Sequence, residues 1–174
     1  MKFEESKTYK NLETALQGEA LAHLKYQFYK SKLSNTSKKL ENILNEIIHN
    51  EKEHGKIWFK LLHNGDVPDD KENLRDAISG ELMEHEEMYP MFAKKAYEEG
   101  FDEIGDLFSS VAEIEGQHAH EFSVILENIE KDYLFSDEEE VNWICLNCGH
   151  IYYGKHAPDE CPVCKHPRKY FVRL

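Results

Sequence analysis

Apolar residues recur at spacings of three and four through residues 6–33, 38–63, 72–99 and 102–129, the period of an amphipathic helix. Four long helices are therefore expected. They are separated by SNTS (34–37), NGDVPDD (64–70) and EEGFDE (98–103), where Gly100 can stop a helix. Pro90 removes a backbone donor from the third helix and predicts a kink just after its middle. After Ile129 the period dissolves into KDYLFSDEEEVN, whose acidic run reads as a solvated linker. Residues 143–174 have no helical period, are rich in turn formers and aromatics, and are too few to fold well without a metal. The expected organisation is a four-helix bundle over 1–131, a linker over 132–142 and a small module over 143–174.

Polar residues interrupt the apolar stripes in a regular way. Along the second helix the stripe reads Leu40, Leu44, Ile47, Glu51, His54, Trp58, Leu61, and along the fourth Ile104, Phe108, Val111, Glu115, His118, Phe122, Ile125. A Glu-x-x-His falls at the same step of each. The first helix places Glu19 among Leu12, Leu16, His23 and Tyr26, and the third places Glu81 and Glu84 among Leu74, Ala77, Met88 and Met91. A buried carboxylate without a partner would sooner take a proton than stay charged, so such interruptions call for a cation. Across an antiparallel bundle they can meet at one level as five carboxylates and two imidazoles. One Glu from each of two helices and a Glu-x-x-His from each of the others is the di-metal carboxylate arrangement, suited to iron or manganese. The steps from Glu19 to Glu51 (32 residues) and from Glu84 to Glu115 (31) suggest an internal duplication. His23 and His85 each follow a candidate ligand Glu by one turn and are read as structural or supporting residues.

Charge narrows the range of partners. With 34 acidic and 21 basic residues the chain carries a net charge of −13, which disfavours nucleic acid and anionic membranes. No apolar run approaches the roughly 18 residues of a membrane span, and the first residues lack a secretory apolar segment, so a cytoplasmic location is expected. All four cysteines, Cys145, Cys148, Cys161 and Cys164, form two CxxC pairs with 12 residues between them. Such knuckles bring four thiolates to one tetrahedral ion. Spacing alone favours zinc in a small ribbon, whereas iron would make the site a one-electron carrier.

With these motifs in view, the chain resembles the rubrerythrin family over essentially its full length. The resemblance is carried by NEKEH (50–54), GELMEHEEMYPMFAKKAYEEGF (80–101), IEGQH (114–118) and WICLNCGHIYYGKHAPDECPVCKHPRKYF (143–171), including Gly149 and the CPxC knuckle with Pro162. It implies a mainly α, ferritin-like four-helix domain with two irons, and a rubredoxin-like domain with one iron in the four-Cys site, where zinc is a possible substitute. By the same resemblance Glu51 and Glu115 are bridging carboxylates, Glu19 is terminal on one iron, and Glu81 with His118 on the other. Glu84 and His54 are the pair between which the first iron is expected to shift with redox state, since harder ferric iron prefers a carboxylate. Tyr26 and Tyr89 match tyrosines that hydrogen-bond near the site, so Glu84, His54, Tyr26 and Tyr89 are the expected catalytic residues. Gly116, inside the last Glu-x-x-His, and Leu21 and His23, in GEALAHLKY, depart from the family pattern.

The implied activity is a peroxidase that reduces hydrogen peroxide to water in an anaerobe or microaerophile, with electrons relayed through the four-Cys iron. No Gly-rich dinucleotide fingerprint is present, so NAD(P)H would act through rubredoxin or a separate reductase. The resemblance also implies a homodimer. Two other readings compete: a ferroxidase sharing the ferritin ligand plan, and a binding protein whose zinc ribbon recruits a partner to a structural bundle.

Overall fold

The computed structural model describes residues 1–33 and 37–174. It divides into two compact units, Met1–Pro68 and Asp69–Leu174. The predicted break at 34–37 lies outside the described residues except for Ser37.

The first unit is an antiparallel helix pair, α1 (Lys7–Ser31) and α2 (Lys38–Leu62), preceded by a 3-10 turn, Phe3–Glu5. Ser6 begins α1, its hydroxyl accepting a hydrogen bond from the Tyr9 amide at 3.0 Å. Ser37 serves α2 in the same way through the Lys39 amide. The helices approach closely where Gly55 is buried beside Leu16 and Glu19.

In the second unit the predicted third helix is three segments: α3 (Asp70–Met83), a π-helical turn (Glu84–Met88) and α4 (Tyr89–Glu98). Asp69 caps α3, its Oδ1 accepting from the Lys71 and Glu72 amides, both at 2.9 Å. The irregularity predicted at Pro90 thus sits ahead of it. An α-helix would ask Pro90 for an N–H it lacks, and the π turn shifts the bonding so that the Tyr89 amide donates to Glu84 O instead. Gly100, at φ +82°, ends α4, and the Phe101 amide donates back to Ala96 O at 2.9 Å. The chain then returns along α5 (Asp102–Glu130).

The face that α5 buries consists of small residues. Gly105, Ala112 and Ala119 are buried on it, matched by Ala93 and Ala96 of α4, whereas Ile104, Leu107 and Ile125 are exposed. Small side chains let the backbones approach, and larger ones from the opposite helix fill the space. The Tyr97 ring lies over Gly105, and the His85 ring lies over Gly116.

The C-terminal part of this unit is a three-stranded antiparallel sheet in the order β2-β1-β3, with β1 Ser136–Cys145, β2 Ile151–His156 and β3 Phe171–Arg173. β1 begins inside the acidic stretch expected to be a linker. Its register on β2 slips between Ser136 and Val141, and Asp137 forms an ion pair with Arg173 across the sheet. Trp143, Cys145, Ala157, Cys161 and Phe171 make a buried cluster, and Trp143 Nε1 donates to Gly154 O at 2.9 Å.

Candidate metal centres

Three groups of side chains have metal-ligand chemistry: Glu19, Glu51 and His54; Glu81, Glu115 and His118; and the four cysteines. Within each group the donor atoms lie within 4.8 Å of one another. The first group joins α1 to α2 and the second joins α3 to α5, so each unit assembles its own Glu plus Glu-x-x-His. His54 Nδ1 is 3.5 Å from Glu51 and 3.8 Å from Glu19; His118 Nδ1 is 2.6 Å from Glu115 and 3.7 Å from Glu81. The Glu51 and Glu115 side chains are only 18% and 15% exposed, against 51% and 46% for His54 and His118. The carboxylates are therefore partly withdrawn from water while the rings remain accessible.

The electrostatics call for a cation in both units. The Glu51 carboxyl is held above the ordinary carboxylate range by its hydrogen bond with Glu19, by burial and by the Glu19 charge. Glu19 is correspondingly lowered, by its hydrogen bond with Glu51 and by that from Trp58 Nε1 at 3.4 Å. Glu84 stands on the π turn, where burial and then the charges of Glu115 and Glu81 raise it. The Tyr89 phenol is likewise raised, by burial first and then by Glu84, Glu115 and Glu81. Both residues thus share the field of the second group without belonging to its close set. Tyr89 packs its ring on Phe92 and Phe108, at centroid distances of 6.4 and 6.0 Å. Tyr26, predicted near the site, packs 6.0 Å from the Tyr29 ring. Trp58 as a donor to Glu19 was not anticipated; its place on the Glu51–His54 stripe was the available signal.

The cysteines lie on two equivalent knuckles. The Gly149 amide donates to Cys145 O at 2.8 Å and the Lys165 amide to Cys161 O at 3.0 Å. The residue after the second cysteine has positive φ in both, +75° at Gly149 and +62° at Lys165. Sulfur separations of 3.7 Å (Cys145–Cys164) and 3.6 Å (Cys148–Cys161) approach the edge of about 3.8 Å expected for a tetrahedron with metal–sulfur bonds near 2.3 Å. The His166 amide, followed by hydrogen bonds from neighbouring groups, pulls Cys164 down to about 6. Cys148 receives a similar pull from the His150 amide, but burial and the other three sulfurs outweigh it and push it up to about 12. Four crowded sulfurs cannot all ionise without a positive ion among them. Carboxylate and imidazole donors in the helices fit iron, and four thiolates fit iron or zinc.

Comparison with known proteins adds the family. The family model Rubrerythrin matches residues 10–126 and again 72–142, and the model for the rubrerythrin rubredoxin-like domain matches 143–172. Rubrerythrin-1 of Clostridium acetobutylicum is 38% identical, covering 97% of this chain and 95% of its own length. Rubrerythrin of Porphyromonas gingivalis is 36% identical over 95% of this chain and 89% of that protein, and rubrerythrin of Nitratidesulfovibrio vulgaris 35% over 97% and 95%. A solved structure of nigerythrin in a mixed-valence state is 25% identical and covers 97% of this chain and 87% of that one, at a TM-score of 0.37. Among the described residues no helix is long and apolar enough to cross a membrane.

Proposed function

Since the chain belongs to the rubrerythrin family of oxidoreductases, with a ferritin-like di-iron domain and a rubredoxin-like iron domain, we propose that it is a peroxidase reducing hydrogen peroxide to water. The observation that carries this reading is the repeated Glu plus Glu-x-x-His group, one in each unit, beside a four-thiolate site. In the assembled protein, a homodimer, Glu19, Glu51, His54, Glu81, Glu84, Glu115 and His118 hold the two irons. Glu51 and Glu115 bridge, while Glu84 and His54 are alternative ligands to the first iron. The irons supply two electrons from adjacent one-electron centres, matching the demand of H2O2 + 2 e⁻ + 2 H⁺ → 2 H2O.

The protein's own side chains do the rest. Tyr89 keeps its phenolic proton in the field of three carboxylates and is available as an O–H donor beside them. The Trp58 indole orients Glu19. Cys145, Cys148, Cys161 and Cys164 hold the single iron through which electrons return one at a time. These electrons come from NAD(P)H by way of rubredoxin or a separate reductase in the cytoplasm, where thiols stay reduced. The test is anaerobic reduction of the purified protein, followed by one addition of peroxide while the visible spectrum is recorded. Prompt return of the ferric-thiolate colour is expected. Faster reoxidation by oxygen than by peroxide would instead indicate a ferroxidase, and one zinc with no iron would indicate a recruitment module.

A further inference from the structure

Two histidines outside the ligand groups make the same contact in the two units. His23 Nδ1 lies 2.9 Å from Ile48 O, joining α1 to α2, and His85 Nδ1 lies 2.7 Å from Ala112 O, joining the π turn to α5. A main-chain carbonyl can only accept, so in both the proton sits on Nδ1. The Gln27 amide, 2.7 Å from His23 Nε2, donates to the other nitrogen, so the His23 ring is satisfied on both sides as the neutral tautomer. The offsets agree as well. His23 is four residues after Glu19 and His85 four after Glu81; Ile48 is three before Glu51 and Ala112 three before Glu115. Each bond therefore fastens the two ligand-bearing helices of a unit about one turn from the carboxylates they must bring together. Those carboxylates repel one another, and the bond opposes that repulsion.

Gly116 supports this account. A Cβ at that position would lie 3.0 Å from both Cε1 and Nδ1 of His85 and 3.2 Å from its Cγ, tighter than side chains ordinarily pack. The missing side chain lets the His85 ring rest on the α5 backbone and reach Ala112 O. The glycine inside Glu-x-x-His thus has a steric reason that offsets its low helix propensity.

We propose that His23 and His85 are positioning residues for the di-iron centre, clasps that set the helix register in each group, and that Gly116 is the accommodation for one of them. The proposal rests on the di-iron reading above. It is tested by anaerobic Co²⁺ titration of the full-length protein with iron retained in the four-Cys site and the helical sites emptied, following the weak ligand-field bands. His85→Phe and His23→Phe keep a ring and delete the N–H; His85→Asn and His23→Asn return a side-chain N–H. We expect the Phe variants to keep their helix signal, lose about tenfold in Co²⁺ affinity and change the band shape, and the Asn variants to recover most of the loss. Gly116→Ala should reproduce the His85→Phe spectrum. Wild-type affinity and spectrum in both Phe variants would overturn the clasps alone. If a Phe variant loses its helix signal, its Asn counterpart decides: near wild-type binding supports the clasp, and tenfold weaker binding overturns it. Wild-type protein that takes up no Co²⁺ in its helices would overturn the di-iron reading itself, and the clasps with it.

Discussion

Gly105→Ala tests the small-residue packing of α5. A Cβ there would fall 2.7 Å from Cδ1 and Cζ of Tyr97, and closer still to Cε1. The ring must therefore leave. Tyr97 is 43% exposed, so swinging it into water uncovers about half of a side chain of roughly 200 Å², a loss of about 2.5 kcal/mol at about 25 cal/mol/Å². The hydrogen bond from the Tyr97 hydroxyl to Asp106, 2.9 Å long but exposed, adds about 0.5 kcal/mol. Against this, alanine improves the helix by about 1 kcal/mol over glycine. The net expectation is a destabilisation of about 2 kcal/mol. In a Tyr97→Ala background the clash is absent and only the helix gain remains, so the same substitution should stabilise by about 1 kcal/mol. Urea unfolding of the iron-loaded full-length protein, followed by far-ultraviolet dichroism, measures both arms of the cycle. A Gly105→Ala protein at least as stable as wild type with Tyr97 present would refute the packing argument, whatever the second background showed.

Other outcomes follow from single contacts. Asp69→Ala removes an acceptor shared by two helix-start amides and should lower stability by about 1 kcal/mol or slightly more in the same unfolding assay, whereas an unchanged midpoint would deny the cap its role. Stripping the four-Cys metal by chelation should unfold the small sheet, read as a red shift of Trp143 emission in a Trp58→Phe background; unshifted emission would mean that the cluster around Trp143 holds the fold alone. Glu84→Ala should keep the four-Cys iron and slow peroxide turnover, and turnover at the wild-type rate would defeat the alternating-ligand role.

The ligand candidates were legible because charge at an apolar position is conspicuous: Glu51, Glu115, Glu19 and Glu81 each stand where a stripe asks for an aliphatic residue. Helix extents were nearly as plain, with 6–33 and 38–63 expected against Lys7–Ser31 and Lys38–Leu62 found. The buried face of α5 was hidden. Periodicity registers large side chains such as Ile104 and Ile125, while Gly105, Ala112 and Ala119, which set the distance between backbones, carry almost no hydropathic signal. The π turn was hidden for a related reason, since one extra residue slips the phase of the pattern without breaking it. The acidic start of β1 read as linker because strand propensity cannot reveal the Arg173 that pairs with Asp137. The grouping of ligands by unit depends on which helices lie side by side, a matter of topology that no single stripe records.

The extra residue in the turn at Glu84–Met88 changes what a deletion there would do. Removing one residue between His85 and Met88 lets the chain close into an ordinary helix, yet rotates everything downstream by about 100° around the axis. Glu81 would stay in place, while Tyr89 would swing away from Phe108 and Tyr97 from Gly105. Such a shortened chain would keep its helix content and lose its facing partners, so circular dichroism would report it as intact while its aromatic contacts had come apart.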